Sequence, residues 1–232
     1  MWSHLIDFVQ GINEMNIVTS DQFSFTFDSQ KEPALSVQPG EVVKIETSPE
    51  PIEKLFAAGD DWLDALDLET FNQINGPVYI EGVEPGDGVA VEILAIEPLD
   101  WGWNAFVPGF SSLTNKINTP FLRRMQIKNR WIYLSNRLKV PVQPMVGCLG
   151  LAPPEGTSTT FGKSPWGGNY DLIQMKAGNT AIFPAQIPGG LFYLGDLHAA
   201  MGASEPATAA IECAGTATVR CAAIHFHGSD ND

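Results

Sequence analysis

Short runs that alternate apolar and polar residues, separated by glycine and proline, make up much of the chain. From residue 207 to residue 220 the odd positions are mostly apolar and the even positions mostly polar. Because successive side chains of a strand point to opposite faces, this period of two predicts a half-buried strand or hairpin. After residue 222 the phase reverses, and His225 and His227 take the polar positions. The C-terminal third is therefore predicted to be built of strands.

One pattern occurs twice in the first half of the chain. Residues 37–46 (VQPGEVVKIE) and residues 83–92 (VEPGDGVAVE) each place Pro-Gly before an alternating apolar run. Proline fixes φ near about −65° and glycine accepts the positive φ that follows, which suits the two central positions of a type II turn. The unit predicts strand, tight turn, strand. Two copies are expected to form two hairpins in one sandwich or barrel.

Few segments carry helical signals. Residues 119–125 (TPFLRRM) offer a threonine cap followed by proline, which predicts a short helix, and residues 60–66 (DDWLDAL) predict one or two helical turns. The expected fold is mainly β, sandwich- or barrel-like, with minor α+β elements. Prolines at residues 139–144 mark a weak boundary. It divides the chain into an N-terminal β-rich part with the hairpins, 1–140, and a C-terminal β-rich part, 141–232, unless the two are interwoven in one domain.

Charge and cysteine usage narrow the classes of partner and compartment. The 232 residues include 13 Lys and Arg against 27 Asp and Glu, a net charge of −14, which argues against nucleic-acid and anionic membrane partners. No apolar run reaches the ~18 residues of a membrane span, and residues 1–16 lack the basic start of a signal peptide. Three cysteines without a CxxC motif favour a reduced, cytoplasmic protein.

An aspartate, a histidine and a glutamate occur within residues 195–206 (GDLHAAMGASEP). Asp196 and His198 are two apart, so on a strand their side chains share a face, and Glu205 follows a glycine-containing turn. Such a pair could bind a metal, or the aspartate could orient the imidazole for proton transfer. Spacing alone favours the alternative, a structural polar pair at the end of a strand.

Two further polar pairs are candidates. In residues 166–171 (WGGNYD) two glycines precede Asn169 and Asp171, and paired glycines allow a sharp turn or a close approach of backbone to a ligand. The alternative is a loop whose side chains cap backbone groups. His225 and His227 could bind zinc or copper, although an exposed strand end is favoured. Cys148, flanked by apolar residues, is expected in the core and not as a nucleophile.

Several short segments resemble, in order, segments of the acetamidase/formamidase family. They are PALSVQPGEVV (33–43), GPVYIEGVEPGDGVAVEI (76–93), PMVGCLGLAP (144–153), WGGNYD (166–171), LFYLGDLHAAMGASEP (191–206) and AAIEC (209–213). The family's corresponding segments include GPIYVEGAEPGD, PMIGVIGVAP, HGGNMD and SxGDxHAAMGDGE. Each match is short, but their common order makes the resemblance specific.

The resemblance implies a mostly β fold and hydrolysis of a small aliphatic amide, such as formamide or acetamide, to carboxylate and ammonia. It also implies a divalent metal, with zinc expected, near the GDxHA segment, and a homo-oligomer, a dimer or higher. A metal-activated water would attack the amide, and Glu205 would move its proton. The expected catalytic residues are Glu205, His198, Asp196 and Asn169, the expected metal ligands are Asp196, His198 and Asp171, and the expected pocket residues are Trp166, Gly167 and Gly168.

Two departures from the family pattern leave three hypotheses. Trp166 stands where the family has histidine, and Ala203 where it has aspartate; Trp166 is expected to narrow and dry any pocket that it faces. The first hypothesis is that the chain is a metal-assisted amidase. The second is that it is a catalytically impaired member that binds a small polar ligand or a partner in the former pocket. The third is that it is a hydrolase of the same fold with another substrate. Clustered acids around His198 favour the first or third hypothesis, and scattered acids favour the second.

Overall fold

Strands account for most of the regular structure. The computed structural model describes residues 16–225; the predictions for the N-terminal residues, Phe226 and His227 lie outside the described residues. Within that range there are nineteen strands, one α-helix and two 3₁₀ segments. A mainly β fold with minor helical elements is therefore confirmed.

The elements follow one another along the chain as short strands with one helical region. The strands are β1 (Asn16–Val18), β2 (Phe23–Ser24), β3 (Thr26–Asp28), β4 (Leu35–Val37), β5 (Val42–Glu46), β6 (Ile74–Ile80), β7 (Gly88–Pro98), β8 (Trp101–Phe106), β9 (Phe121–Lys128), β10 (Trp131–Tyr133), β11 (Lys139–Pro141), β12 (Met145–Leu151), β13 (Thr157–Thr159), β14 (Lys163–Ser164), β15 (Gly167–Asn169), β16 (Thr180–Pro184), β17 (Phe192–Ala200), β18 (Ile211–Cys213) and β19 (Gly215–Ile224). The helical region comprises α1 (Glu50–Ala57) and 3₁₀ segments at Gly59–Asp61 and Leu68–Thr70.

Two sheets share the main core. The smaller has the strand order β1-β5-β19-β7-β16, and the path of the larger is β11-β10-β9-β8-β18-β17-β12-β15-β14, with β6 bridging β17, β2 and β4. One apolar cluster includes Val43 and Val91 of the smaller sheet together with Leu149 and Leu194 of the larger. Each sheet contains strands from both sides of residue 140.

Both Pro-Gly turns form, but neither closes a hairpin. Gly40 and Gly86 have φ of 93° and 96°, and backbone hydrogen bonds of 3.1 Å and 3.0 Å close the two turns. The strands on either side do not pair with each other, because β4 and β6 belong to the larger sheet and β5 and β7 to the smaller. The hairpin prediction is wrong: each turn takes the chain from one sheet to the other.

The helix predicted at residues 119–125 is also wrong, because this segment lies in β9. Six residues of β8 pair with it in antiparallel register, from Trp101 opposite Gln126 to Phe106 opposite Phe121. The guanidinium of Arg124 stands 3.9 Å from the ring centroid of Trp101, a cation–π contact. Strand pairing supplies the backbone with partners and overrides the local helix-cap signal.

The helical region packs on β8, next to the middle of the larger sheet. Ile52 and Leu55 of α1 are buried, and the 3₁₀ segment and turns that follow confirm the helical turns predicted for residues 60–66. Buried Trp62 completes an apolar cluster with α1 and with Ala105 and Val107. None of the helices in the described part of the chain is long and apolar enough to cross a membrane.

The alternation predicted for residues 207–220 holds in one strand and fails in the other. In β19, Ala217 and Val219 are fully buried and Arg220 is exposed. In β18 the polar position is inverted, because the Glu212 residue is only 5% exposed. The three cysteines are buried and free, as expected of core residues. A glutamate buried in a strand requires a charged or hydrogen-bonding partner, and the candidate site described below supplies such groups.

Candidate metal and active site

The candidate site lies where β17 runs between β12 and β18. His198 stands opposite Met145 of β12 and opposite Glu212 of β18. Asp196, two residues earlier, has φ of 54°, a left-handed backbone conformation that is uncommon for residues other than glycine. Its carboxylate Oδ1 lies 3.5 Å from His198 Nε2. The two side chains singled out by their spacing thus converge on one point.

Four carboxylates surround one nitrogen of a buried histidine. The oxygens nearest His198 Nε2 are those of Glu212 at 3.2 Å, Asp196 at 3.5 Å, Asp171 at 3.8 Å and Glu205 at 3.8 Å. The imidazole is only 1% exposed. Within residues 16–225, two overlapping donor sets suit a metal ion: Asp171 with Asp196 and His198, and His198 with Glu205 and Glu212. These five side chains are called the His198 cluster below.

Gly147 of β12 leaves space where these donors meet. A Cβ added at this glycine would lie 2.3 Å from Asp196 Oδ2 and 2.8 Å from both Asp171 Oδ1 and His198 Nε2. A distance of 2.3 Å is far inside van der Waals contact, so any other residue would displace the donors. The backbone can pass this close to the cluster only because glycine has no side chain.

A chain of amides orients the carboxylate of Asp171. Asn169 Nδ2 donates to Asp171 Oδ2 at 3.0 Å, and the buried Asn72 donates to the backbone oxygen of Thr160 at 2.9 Å and to Asn169 Oδ1 at 3.4 Å. The other oxygen, Asp171 Oδ1, is buried and has no hydrogen-bond partner. One oxygen is therefore held while the other is left to face His198.

Glu205 and Glu212 form a carboxyl pair that shares one backbone donor. The amide of Ala210 donates to both, at 2.6 Å to Glu205 Oε1 and 2.8 Å to Glu212 Oε1. Burial raises the pKa of Glu212 well above its usual range; burial also raises the pKa of Glu205, while His198 lowers it. Both carboxyls therefore retain their protons to higher pH than an ordinary glutamate does.

The pKa values of Asp171 and His198 are both raised. Burial, reinforced by the charges of Asp196 and Glu205, raises the pKa of Asp171 to about 7. Burial lowers the pKa of His198, but the carboxylates of Glu212 and Asp196 outweigh this effect and raise it to about 10. The metal-free cluster therefore holds protons that a cation must displace, so cation binding should strengthen as the pH rises.

Replacing Asp171 with asparagine should change how the stability of the metal-free protein depends on pH. The folded-state pKa of about 7 lies above the ordinary pKa of 3.8, so the folded protein binds more protons and loses stability as the pH rises between these values. The Asp171→Asn variant lacks this titration. The melting temperature of the variant minus that of wild type should increase between about pH 4 and about pH 7, when both are measured with chelator present. A difference that stays constant across this interval would contradict the raised pKa.

A cavity of about 470 Å³ extends from the cluster to α1. Three of the carboxylates, those of Asp196, Glu205 and Glu212, line one end, and Asn169 lines the same end. Apolar side chains of α1, of the turns after it and of β8 line much of the remainder, together with polar residues such as Thr47, Ser48 and Gln73. The arrangement joins a polar, titratable centre to an apolar space, as in many ligand sites.

The three predicted pocket residues lie elsewhere in the described structure. Trp166, Gly167 and Gly168 are not among the residues that line this cavity within 16–225. Trp166 packs against the main core, and the two glycines allow β15 to approach the backbones of Gly150 and Gly162. Trp166 therefore does not stand between the members of the His198 cluster.

Glu212 and Gly147 are the members of the site that the sequence pattern did not indicate. Alternation assigned Glu212 to the polar face of a strand, although its immediate neighbours, Ile211 and Cys213, are apolar. The available signal was the AAIEC segment of the family resemblance, which contains this glutamate. His225, in contrast, is exposed after the end of β19, with Nδ1 2.9 Å from Asp87 Oδ2.

Comparison with solved structures gives close matches over almost the whole chain. The crystal structure of an acetamidase from Bacillus halodurans has a TM-score of 0.84 and 32% identity, covering 91% of this chain and 71% of that chain. A predicted acetamidase/formamidase from Thermoanaerobacter tengcongensis has a TM-score of 0.86 and 31% identity, covering 92% and 71%. The fold described above is thus shared with these proteins.

Comparison of sequences points to the same group. A Schizosaccharomyces pombe protein, named as a proposed formamidase, is 25% identical to this chain in a match that covers 81% of this chain. The chain spans about 60% of the length of that curated relative. A family model described as the Acetamidase/Formamidase family matches residues 26–165 and 154–228. This chain therefore belongs to the acetamidase/formamidase family.

Proposed function

We propose that this chain hydrolyses small primary amides, of the formamide or acetamide class, to carboxylate and ammonia at the His198 cluster. The observation that supports this most is the convergence of four carboxylates on His198 Nε2 at the end of a cavity. Relatives named as an acetamidase and as a proposed formamidase support an amide as substrate. Proton acceptors and donors beside a cavity are what hydrolysis of an unreactive amide requires.

The donors of the cluster fit a divalent cation as cofactor, and zinc is the ion to test first. Asp171 Oδ1 is buried without a hydrogen-bond partner, and Gly147 leaves space where the donors converge. Imidazole nitrogen and carboxylate oxygen are zinc ligands, and a carboxylate-rich set also suits manganese or magnesium. Asp171, Asp196 and His198 would hold the ion. Such an ion, when bound, polarises an amide carbonyl and lowers the pKa of water.

The side chains that face the cavity handle the protons. Glu205 accepts a proton from the attacking water, because its carboxylate lines the cavity and lies 3.8 Å from His198 Nε2. The raised pKa of the buried Glu212 limits the negative charge of the pair. Glu205 then gives the proton to the amide nitrogen as the C–N bond breaks, and ammonia leaves. Asn169 acts indirectly, by holding Asp171 Oδ2.

Replacing Glu205 with glutamine should lower kcat by about 10²–10⁴-fold while the bound metal is retained. Glutamine keeps the shape of the side chain but cannot accept the proton, and the three proposed ligands remain. Ammonia release and metal content would be measured on the same samples. Glu155→Gln, in an exposed position, is the matched control and should behave as wild type. Full activity of the Glu205→Gln variant would remove Glu205 from the mechanism.

The position of Trp166 bears on the alternative of a catalytically impaired binding protein. That hypothesis requires scattered acids or a tryptophan that fills the space between them. The acids lie within 3.2–3.8 Å of His198 Nε2, and Trp166 packs against the main core. These observations support a catalytic role.

We further propose that the protein is a cytoplasmic homo-oligomer with no nucleic-acid or membrane partner. Sedimentation in the presence and absence of nucleic acid would test the oligomeric state and the absence of nucleic-acid binding.

A further inference from the structure

The cavity beside the His198 cluster is much larger than a one- or two-carbon amide requires. Its volume of about 470 Å³ compares with a share of ~30 Å³ per molecule in liquid water, and falls in the range of pockets for drug-sized ligands. We infer that the preferred substrates are primary amides whose acyl group is a bulky, uncharged, apolar group, held between α1 and β8. This inference rests on the proposed hydrolysis of primary amides at the His198 cluster and extends the substrates beyond the formamide and acetamide class.

The apolar wall begins directly beside the carboxylate pair. Trp103 of β8 stands opposite Glu212 of β18 in the antiparallel register, and side chains of directly opposed residues lie on the same face. Both residues line the cavity. A substrate whose amide group reaches the cluster would therefore place the atoms attached to its carbonyl carbon against Trp103.

The part of the wall that the helical region supplies next to Trp103 is mostly aromatic and aliphatic, whereas Thr47, Ser48 and Gln73 are polar residues of the lining. Phe71 contacts Trp103 edge to face, with ring centroids 5.7 Å apart, and Ile52, Leu55 and Trp62 extend the wall along the helical region. Aromatic rings gain stabilisation from edge-to-face and offset contacts in addition to the area that they bury. An aryl or branched alkyl group would thus bind better here than the methyl group of acetamide.

The charges of the cavity disfavour an anionic acyl group, and its apolar walls disfavour a cationic one. Among its lining residues within 16–225 there is no lysine or arginine, whereas three carboxylates lie at the polar end. A carboxylate on the substrate would have no cationic partner, and an ammonium group would be buried against apolar walls. The favoured group is therefore neutral.

The apolar group must belong to the acyl part of the substrate. The proposed reaction releases ammonia, so the nitrogen of the amide carries only hydrogen atoms. The substituent on the carbonyl carbon is then the part of the substrate that varies, and it alone can occupy the apolar end of the cavity.

A comparison of three amides on the metal-loaded protein tests this inference. We expect kcat/KM for phenylacetamide to exceed that for acetamide at least about tenfold, because even one methylene in an apolar pocket contributes about that factor. Succinamic acid, which carries a carboxylate, should be hydrolysed more slowly than phenylacetamide. Hydrolysis of acetamide with equal or slower hydrolysis of phenylacetamide would overturn the inference and leave the proposed function intact. Failure to hydrolyse any of the three would overturn both.

A variant of the aromatic wall provides the second readout. Phe71→Ala should lower the ratio of kcat/KM for phenylacetamide to kcat/KM for acetamide about tenfold, mainly through KM. The ratio is independent of how much of the variant is folded. Phe121→Ala is the matched control, since Phe121 stacks on Phe106 on the opposite face of the sheet, and it should keep the wild-type ratio. An unchanged ratio in Phe71→Ala would remove Phe71 from substrate binding and overturn the assignment of this wall.

Discussion

The His198→Ala variant is expected to lose its bound metal and to hydrolyse amides at least about 10³-fold more slowly than wild type. His198 is the nitrogen donor common to both possible donor sets, and its removal leaves only carboxylates. The two proposed ligands that remain, Asp171 and Asp196, would not hold zinc tightly, since catalytic zinc sites use three protein ligands. Loss of the ion removes the polarisation of the carbonyl, which contributes several kcal/mol, or about 10³-fold in rate.

The matched control for this variant is His225→Ala. His225 is exposed at the end of β19 and lies 2.9 Å from Asp87, so its removal alters a histidine outside the His198 cluster. Metal content by mass spectrometry and ammonia release should match wild type in the control and fall in His198→Ala. Circular dichroism establishes that both variants are folded. Wild-type metal content and activity in His198→Ala would contradict the assignment of the site.

Gly147→Ala is expected to lower kcat/KM at least about 10²-fold without unfolding the protein. The added methyl carbon would lie 2.3 Å from Asp196 Oδ2 and 2.8 Å from His198 Nε2, so these side chains must move apart. A displacement of about 1 Å in a catalytic group is sufficient for a loss of this size. The φ of Gly147 is not in the left-handed region, so alanine can adopt the backbone conformation and the effect should be local.

Gly202→Ala separates this steric effect from the general cost of replacing glycine. Nothing lies within 4 Å of the position where its Cβ would be, and its φ is also outside the left-handed region. Activity and metal affinity should match wild type in this variant. If Gly147→Ala also retains both, the space beside Gly147 has no role in the site.

Local patterns predicted the turns and the strands of this fold but not the partners of the strands. The φ values of Gly40 and Gly86 follow from the chemistry of Pro-Gly, and the alternation in β19 follows from the burial of one face. Which strand pairs with which depends on contacts distant in sequence. The change of sheet at each Pro-Gly turn, and the pairing of β9 with β8, are therefore not encoded in the segments themselves.

The candidate site was predicted in part, and mostly through the family resemblance. Spacing alone favoured a structural role for Asp196 and His198, and only the ordered family segments indicated a pocket. Glu212 was missed because burial of a glutamate in a strand depends on His198 of the neighbouring strand, which the alternation of β18 does not reveal. The role of Gly147 likewise depends on side chains that approach it from other segments.

The proposed metal site is best tested by measuring the metal content of the protein purified without an affinity tag or chelator. This measurement requires no knowledge of the substrate and reports on the His198 cluster itself. We expect about one divalent ion per chain, or uptake of about one zinc ion per chain by metal-free protein, with tighter binding at higher pH. A protein that contains no divalent ion and takes up none when zinc, manganese or magnesium is added would contradict the proposed metal-assisted hydrolysis.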